Sequence, residues 1–344
     1  MKDPQRILII RRDNIGDLVL TTPLIGALRR RYPQAWIAVL ANSYNAPVLD
    51  GHPDLDAVFA YDKAKHRPER SRLLVNVGTA RLLLRLRRMR IDLAILAGAG
   101  VQHEAARLAR WIAPRETLGF VERGQPTLVS LPVNAGGGAA LHAAQDIFRL
   151  GAPLRLEGDP GPCRLAPDAG ERERCRAALA AAGCSGQRVV AVHLSARRPA
   201  QRWPAQSFVE LIEGLARDAG LFFVLLWSPG PAEDPRHPGD DAKAAQVVAG
   251  LDGKAPILAW PTASLAALNG ALACADLMVC ADGGAMHVAA GLGVPVVALF
   301  GDSPAERWRP WGVRHLVVQA PGGEVPALGV TAVAEAVKTL LGSR

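Results

Sequence analysis

A short polar run follows the first apolar segment of the chain and reads RRDNIGD from Arg11 to Asp17. The apolar residues Ile7–Ile10 before it predict a buried strand, and the pattern of Leu18–Tyr32 after it predicts a helix. That helix should end before Pro33, because proline disfavours helical geometry in the residue ahead of it. A joint of this kind can bind a nucleotide, present a catalytic carboxylate or only turn the chain, and the residue types leave all three open.

A second joint of the same kind lies in the segment VCADGGAMHVAAGLGVPVVALFG of the second half. A predicted strand ends at Asp282, Gly283 and Gly284 allow a sharp turn, and a helix is predicted from Ala285. Free amides at a helix start, together with the helix dipole, suit a phosphate, and His287 in the first turn can donate to a phosphate oxygen. The alternative is a tight strand–helix joint in which Asp282 caps the helix.

Both halves of the chain alternate predicted strands with predicted helices. The further strands of the first half are WIAVLAN, AVFAYD, IDLAILAG and RETLGF, and those of the second half are RVVAVHLS, LFFVLLWS, APILAW, DLMVCAD and PVVALFG. This alternation is typical of βαβ units and a parallel sheet. The predicted fold class is therefore α/β, with two Rossmann-like domains facing a cleft, and ligands are expected beyond the carboxyl ends of the strands.

The boundary between the two domains is predicted from composition. The segment from Ala152 to Gly170 is rich in proline and glycine and lacks periodicity, which indicates a linker or the start of the second domain. We expect an N-terminal domain at 1–160, a C-terminal domain at 161–330, and a helix at 331–344 that can pack back on the N-terminal domain.

The charge of the chain is positive and unevenly distributed. The formal net charge is +8, and arginines are concentrated in RLLLRLRRMR (Arg81–Arg90) and RRRYP (Arg29–Pro33). These segments are either solvated helix faces or a surface for an anionic partner, such as a phosphorylated glycolipid or a membrane. Nucleic acid is not expected, because aromatic residues do not interleave with the basic ones and no reader motif is present.

Cysteine spacing and the N-terminal sequence bear on the compartment. The five cysteines form no CxxC pair and no Cys/His metal spacing, which indicates free thiols in a reducing cytosol. The opening MKDPQR does not resemble an export signal, and the apolar runs are far shorter than the roughly 20 residues of a membrane span. We expect a cytoplasmic protein, with peripheral attachment to the inner membrane left open.

Three motifs together resemble glycosyltransferase family 9, the ADP-heptose:lipopolysaccharide heptosyltransferases. The opening stretch is similar to the family's I-x-x-x-R-x-x-x-x-G-D-x-[VL]-x-x-T-P signature, and LSARRPAQRWPAQSFVELIEGL (Leu194–Leu215) is similar to its block ending in R/H-W-P before a helix. The second joint is similar to its C-terminal D-[TG]-G-x-x-H-x-A-A-x-[LM]-G-x-P-V-V-x-x-[FY]-G signature. The three blocks come in the family's order and frame nearly the whole chain. The resemblance implies a GT-B fold, an acceptor-binding N-terminal domain, a donor-binding C-terminal domain and inverting transfer.

In this resemblance, Asp17 matches the family's catalytic aspartate. Inversion is a single in-line displacement, in which a carboxylate takes the proton of the attacking acceptor hydroxyl. Asp13 is the rival carboxylate, and the alternative for either residue is a helix N-cap. The predicted acceptor-binding residues are Asp13, Arg11, Arg12 and His103.

The resemblance also assigns a donor site, whose predicted residues are Ser195, Arg198, Arg202, Glu233, Asp282, Gly283, Gly284, Ala285, Met286 and His287. The leaving group is a nucleoside diphosphate, whose growing charge can be stabilised by amides and cations without a metal. One departure from the family is Gln201, at a position where several members have a lysine that faces the diphosphate. Arg198 or Arg202 could take this role with a different reach and shape. Glu233 is matched to a ribose-binding glutamate through an irregular loop.

Other polar residues have simpler interpretations. The string from Asp54 to Asp56 spells the DxD of metal-dependent glycosyltransferases but lies in a predicted surface loop, and Asp240-Asp241 is favoured as a helix cap over a metal site. His103 follows a predicted strand. It could contact an anionic acceptor, or it could be a polar residue at the start of a helix with no role in binding. No metal site is predicted.

The function that the resemblance implies is transfer of a heptose from ADP-heptose onto the lipopolysaccharide inner core, with lipid A–Kdo or a heptosylated glycan as acceptor. The partners would be the nucleotide-sugar donor and an anionic glycolipid at the inner membrane face. The ADP-sugar is a substrate, so no cofactor is expected. The alternatives are a GT-B transferase that uses another ADP- or UDP-sugar for a surface glycan, and a non-catalytic nucleotide-binding protein of the same fold.

Overall fold

The structure is a computed structural model, and it describes residues 3–62, 71–122, 129–217, 220–234 and 238–342. The chain divides into two compact units, Met1–Ala166 and Pro167–Arg344. The division falls inside the segment that composition marked as a linker, a few residues after the expected boundary at 160.

The N-terminal unit is built on one parallel sheet. Its strands are β1 (Arg6–Ile10), β2 (Trp36–Asn42), β3 (Ala57–Tyr61), β4 (Leu93–Leu96), β5 (Glu116–Val121) and β6 (Leu131–Asn134). They lie in the order β3-β2-β1-β4-β5-β6, and every neighbouring pair is parallel. The order reverses between β1 and β4, so the carboxyl end of β1 opens on the crevice where such sheets bind ligands.

The helices of this unit are α1 (Ile15–Val19), α2 (Thr22–Arg31), α3 (Arg72–Arg88), α4 (His103–Ile112) and α5 (Ala143–Phe148). The single helix predicted over Leu18–Tyr32 was wrong, because the structure has two helices there and the first begins earlier. Pro23 has no N–H to donate back to the carbonyl of Val19, and the Thr22 hydroxyl donates to that carbonyl instead, at 2.7 Å. The consequence is that Asp17 lies inside a short helix of its own.

The C-terminal unit repeats the same sheet. Its strands are β7 (Arg188–His193), β8 (Leu221–Trp227), β9 (Ile257–Pro261), β10 (Leu277–Ala281), β11 (Val296–Phe300) and β12 (His315–Gln319), in the order β12-β11-β10-β7-β8-β9 and all parallel. Here the order reverses between β7 and β10. The helices are α6 (Ala169–Ala181), α7 (Ala205–Ala216), α8 (Asp241–Leu251), α9 (Leu265–Leu272), α10 (Gly284–Gly291), α11 (Ala305–Trp308) and α12 (Val330–Gly342).

Both faces of each central strand are buried, as parallel sheets require. All four residues of Ile7–Ile10 are inaccessible, and the alternate residues Val190 and Val192 of β7 share one core with α7, α8 and α12. We expected that the last helix could pack back on the N-terminal domain. In the structure α12 packs on α7 and β12 of its own unit.

An aspartate that directly precedes a strand ties it to its neighbour at three places. Asp56 before β3 accepts from the N–H of Ile37 at 2.7 Å, and Asp276 before β10 accepts from the N–H of Val189 at 2.7 Å. Asp92 before β4 accepts from two N–H groups, those of Gln5 and Arg6, at 3.0 and 2.9 Å. In each case the aspartate's own N–H donates to the same neighbouring strand. The pattern pins the register of strands that have no hairpin turn to set it.

We therefore expect Asp92→Ala to lower the free energy of unfolding by about 1–2 kcal/mol, because two backbone N–H groups lose a charged acceptor. Urea unfolding followed by circular dichroism measures the loss. Asp159→Ala is the matched control, since Asp159 is an exposed aspartate and the change in charge is the same. Equal stability of the two variants would contradict this role for Asp92.

Candidate functional site

The first candidate site is the joint after β1, at the carboxyl edge of the N-terminal sheet. The chain leaves β1 with Arg11, whose N–H still donates to Leu40 of β2 at 3.0 Å, and enters α1 at Ile15. The polar run therefore lies at the carboxyl end of β1, next to the reversal of strand order between β1 and β4.

Asp17 is the third residue of α1, and its carboxylate is held from two sides. One oxygen accepts from Arg11 Nη2 at 2.7 Å, and the other accepts from the backbone N–H and from the side-chain Nδ2 of Asn14, both at 3.1 Å. Asn14 is the N-cap of α1, so Asp17 closes a capping box from the third helical position. The predicted alternative, a role at the helix start, is therefore present, although Asp17 is not itself the N-cap. Its side chain retains 15% exposure, so part of the carboxylate remains accessible.

Arg11 is a buried cation between the two predicted carboxylates. Its residue exposure is 2%, and its Nε lies 3.2 Å from an Asp13 oxygen while Nη2 holds Asp17. Within the described part of the chain its Nη1 has no hydrogen-bond partner. The geometry makes Arg11 a support for Asp13 and Asp17, and leaves little of it for direct contact with an acceptor.

Arg12 lies beside the start of α4. Its Nε donates to the Tyr61 hydroxyl at 2.7 Å, its guanidinium lies 5.9 Å from the centre of that ring, and its Nη2 is 3.6 Å from a Glu104 oxygen. His103 is the first residue of α4 and is exposed. The structure therefore brings the carboxyl ends of β1 and β3 and the start of α4 to one place.

Two buried asparagines that sequence reasoning missed fix the backbone of this joint. Asn42 Nδ2 donates to the carbonyls of Arg12 and Asp13 at 3.0 and 3.2 Å, and Asn45 Nδ2 donates to the Asp13 carbonyl at 3.0 Å. The available signal was Asn42 at the end of an otherwise apolar strand, at the same sheet edge as the polar run. A buried amide there has to find partners in the neighbouring loop.

The second candidate site is the start of α10, after β10 in the C-terminal unit. Gly283 is the N-cap, no side chain caps this helix within the described residues, and Ala285 and Met286 follow as its second and third positions. The Met286 side chain is fully buried, so only its backbone can face a ligand. His287 is also buried, in the second turn. The amides of a helix start left uncapped in this way suit an anion.

The backbone of Gly283 does not require a glycine. The Gly283 φ of 168° is extended backbone that any residue can adopt. A Cβ added at Gly283 would meet no protein atom within 4 Å, so protein packing does not demand glycine either. The missing side chain therefore leaves open space at the residue directly before α10.

Asp282 does not cap the helix that it was expected to cap, because the N-cap is Gly283. Its carboxylate accepts from Gln201 Nε2 at 3.3 Å and lies against Ser303. Burial raises the pKa of Asp282, partly offset by the Ser303 hydrogen bond and the nearby Arg198 charge. The capping alternative was therefore wrong. Gln201, the departure from the family pattern, is buried as a partner of Asp282.

The loop after β7 lies next to this helix start. Arg198 pairs with Asp302, and both side chains are exposed. Arg202 is half-buried and its Nε donates to the Ala196 carbonyl at 2.9 Å. The Ser195 hydroxyl accepts from the N–H of Ser228 at 2.9 Å, which joins the loops after β7 and β8.

Lys243 and His193 are polar residues of this region that sequence reasoning missed. Lys243 donates to the Leu194 carbonyl at 3.1 Å and lies 5.0 Å from the centre of the Phe208 ring. Burial lowers the pKa of Lys243 to about 8, with a further contribution from Arg202. Burial also lowers the pKa of His193 to about 4, and the Lys243 charge adds to the effect. For Lys243 the available signal was a single lysine in the first turn of α8, a helix made mostly of alanine, valine and leucine.

The acidic loop before α8 is held by its own contacts. Asp241 accepts from Trp227 Nε1 at 2.7 Å and from the N–H of Gly230 at 2.9 Å. Asp240 is the N-cap of α8, as favoured, although its side chain makes no capping hydrogen bond. Glu233, the predicted ribose ligand, is exposed.

The predicted surface loop with the DxD string has structural contacts. Asp56 holds β2, as described above, and also pairs with Arg29 at 2.6 Å. Asp54 lies 4.0 Å from Arg164. In the ranges that the structure describes, no group of three or more His, Cys, Asp or Glu side chains is placed to hold a metal ion.

Comparison with known proteins identifies relatives along the chain. The family profile of glycosyltransferase family 9 (heptosyltransferase) matches residues 79–337. Lipopolysaccharide heptosyltransferase 3 of Escherichia coli is 26% identical over 307 residues, which are 86% of this chain and 83% of that protein.

Two solved structures superpose on almost the whole chain. One is a family 9 glycosyltransferase of Veillonella parvula, with a TM-score of 0.82 at 19% identity, covering 99% of this chain and 98% of that chain. The other is an Escherichia coli heptosyltransferase solved with ADP, with a TM-score of 0.77 at 18% identity, covering 97% and 99%. The predicted α/β fold of the GT-B class is confirmed.

The depressed pKa of His193 predicts a pH-dependent stability. Between the ordinary value of 6.5 and the folded value of about 4, the unfolded chain binds more protons, so the wild type loses stability as pH falls through this window. At about 1.4 kcal/mol per pKa unit, the loss relative to His193→Gln approaches about 3 kcal/mol. Urea unfolding of both proteins at about pH 7 and about pH 4 measures it. A constant difference between the two proteins would contradict the prediction.

Proposed function

The chain belongs to glycosyltransferase family 9, and from this premise we propose that it transfers a heptose from ADP-heptose to the inner core of lipopolysaccharide. The observation that carries the proposal is a pair of strand–helix joints next to the reversal of strand order, after β1 in one sheet and after β10 in the other. One joint holds a carboxylate against a buried guanidinium, and the other leaves a helix start uncapped. The relatives named heptosyltransferases support heptose as the sugar.

The donor diphosphate would bind at the start of α10. Its oxygens would accept from the free amides there, in the space that Gly283 leaves open. Arg198, Arg202 and Lys243 supply positive charge on the adjoining loop and helix. Amides and cations of this kind stabilise the charge that grows on a leaving diphosphate, so the proposal needs neither a metal nor a cofactor.

Asp17 would act as the general base. It takes the proton of an acceptor hydroxyl while that oxygen bonds to the anomeric carbon, and the bond from the anomeric carbon to the diphosphate oxygen breaks in the same step. ADP leaves on the opposite face, so the configuration inverts. Arg11 and Asn14 would orient the carboxylate, which still has acceptor capacity beyond their three hydrogen bonds.

The acceptor would be an anionic glycolipid of the inner core, bound in the N-terminal unit. Arg12 belongs to the joint after β1 and lies beside the start of α4, and His103 is the first residue of that helix. Both side chains can contact phosphates or carboxylates of the acceptor. Asp13 is the more exposed of the two carboxylates that Arg11 holds. It would orient the acceptor through a hydroxyl rather than remove the proton.

One observation favours a second candidate, transfer from a different ADP- or UDP-sugar. Gln201 is buried against Asp282 where several family members have a lysine, and Glu233 is exposed. These two features lie in the loops after β7 and β8, which would contact the donor. Calorimetry with ADP and UDP separates the candidates, since much tighter binding of UDP would contradict an ADP-sugar donor.

We predict that Asp17→Asn lowers the rate of transfer by about 100- to 10,000-fold, the usual contribution of a general base. ADP binding should persist, because the α10 site lies in the other unit. Asp13→Asn is the control, since it also removes one carboxylate from Arg11 and should reduce transfer far less. Product formation from ADP-heptose measures the rate, and thermal unfolding reports any loss of the capping box. Normal turnover in Asp17→Asn would exclude Asp17 as the base.

A second prediction tests the diphosphate site. Gly283→Val should leave thermal unfolding almost unchanged, because a Cβ at this position meets no protein atom within 4 Å and the backbone is extended. It should weaken ADP binding by about tenfold or more, since the side chain blocks amides worth about 1–3 kcal/mol. Gly329→Val, at another exposed glycine directly before a helix, is the control for calorimetry. Unchanged ADP affinity in Gly283→Val would place the diphosphate elsewhere.

A further inference from the structure

Helix α3 presents an apolar stripe to solvent. Leu73 and Leu84 are 70% and 49% exposed, and Val77 and Ala80 are exposed between them. Their spacing of four, three and four residues puts all four side chains on one face of the helix. Leu74, beside this stripe, is 66% exposed.

This stripe is not the face that holds the helix to the fold. Val75, Leu83 and Leu86 are the buried residues of α3, and the last two belong to the core formed with β1, β2 and α4. Helix α3 is therefore apolar on two sides, and among the residues that the structure describes only one of these sides packs against the N-terminal unit. An apolar outer face of this length marks an interaction site.

The same helix is strongly basic. The segment 72–88 contains five arginines and no acidic residue. Arg81 and Arg88 are exposed and, by helical spacing, flank the stripe. Arg85 is directed elsewhere, since its guanidinium lies 5.5 Å from the centre of the Phe59 ring.

Helix α4 extends this surface with a tryptophan. Trp111 is 68% exposed, and its carbonyl accepts from Arg87 Nη1 at 3.3 Å, which places it beside the last turn of α3. Arg110, next to it in sequence, is also exposed. Exposed tryptophan next to leucine and arginine is the composition of a segment that lies in the membrane interface, where the indole sits at headgroup level.

We propose that this α3–α4 surface, made of Leu73, Val77, Arg81, Leu84, Arg88 and Trp111, binds the surface of an anionic phospholipid bilayer. An anionic bilayer can bind the arginines and the apolar stripe at once. Its phosphates pair with the arginines, and the leucines are buried at the boundary between headgroups and acyl chains. A second copy of the chain would oppose arginine to arginine, and nucleic acid offers no apolar layer for the stripe. The surface contains none of the residues assigned to transfer, so the inference goes beyond the proposed function.

The membrane-binding test uses the whole chain and co-sedimentation with vesicles. We expect binding to vesicles of phosphatidylglycerol and phosphatidylcholine in equal parts, and much weaker binding to phosphatidylcholine alone. Arg81→Gln/Arg88→Gln should weaken binding by about tenfold or more, since each basic residue near an anionic surface contributes about fivefold. Leu73→Gln/Val77→Gln/Leu84→Gln should weaken it by a similar factor and should leave more of the remaining binding sensitive to salt.

Matched controls separate this surface from net charge and from general exposure. Arg174→Gln/Arg176→Gln removes the same charge from α6, and Val248→Gln replaces an exposed apolar residue of α8. Both should bind vesicles as the wild type does. Calorimetry of ADP binding on every variant tests the proposed function separately. The ADP affinity should be the same in the variants that bind vesicles and in those that do not.

Three outcomes would overturn the proposal. The first is that the protein shows no preference for anionic vesicles. The second is that the control variants lose as much vesicle binding as the α3 variants. The third is that the wild type binds no vesicles but self-associates, and that Leu84→Gln abolishes this self-association. The last outcome would indicate a second copy as the occupant of the stripe.

Discussion

Parallel pairing of every strand is the constraint on which the rest of this structure depends. A parallel strand cannot be reached by a hairpin, so each connection crosses a face of the sheet and each polar joint comes out at the same edge. The order of the strands reverses between β1 and β4 and between β7 and β10, so the joints after β1 and β10 both lie next to a reversal. The register also needs fixing without turns, which is the role of Asp56, Asp92 and Asp276 at the opposite edge.

The two joints differ in how the backbone N–H groups at the start of the helix are paired. After β1, the chain satisfies its own helix start, because Asp17 and Asn14 cap each other and Arg11 neutralises the carboxylate. After β10, the helix start is left without a side-chain cap, and Asp282 turns to Gln201 instead. A joint whose own side chains cap the helix holds its carboxylate in one place. A helix start without a side-chain cap has free N–H groups that attract an anion. The proposed assignment of the general base to the first joint and of the diphosphate to the second rests on this difference.

Sequence reasoning predicted what depends on local pattern and missed what depends on neighbours. The apolar runs located the central strands. Strand β6, with its proline and half-exposed alternation, and the partly exposed β12 were not predicted, nor was α6, which buries only Cys175 and Leu179. The motif residues were found by resemblance, but the partners Asn42, Asn45, His193 and Lys243 act across loops distant in sequence. No local pattern indicates which amide or amine will be buried against which carbonyl.

Asp17 has to meet two demands that limit each other. As a member of the capping box it is held by three hydrogen bonds, which fix its direction and lower the entropy lost when a substrate arrives. In the proposed reaction the same carboxylate must also keep a lone pair free for the acceptor hydroxyl, and each of those bonds occupies part of it. Arg11 takes up only one of the two Asp17 oxygens, because its Nη2 contacts Asp17 while its Nε lies against Asp13. Asp13 is thereby given a physical role beside the motif, since it shares the buried cation and fixes the other end of the guanidinium.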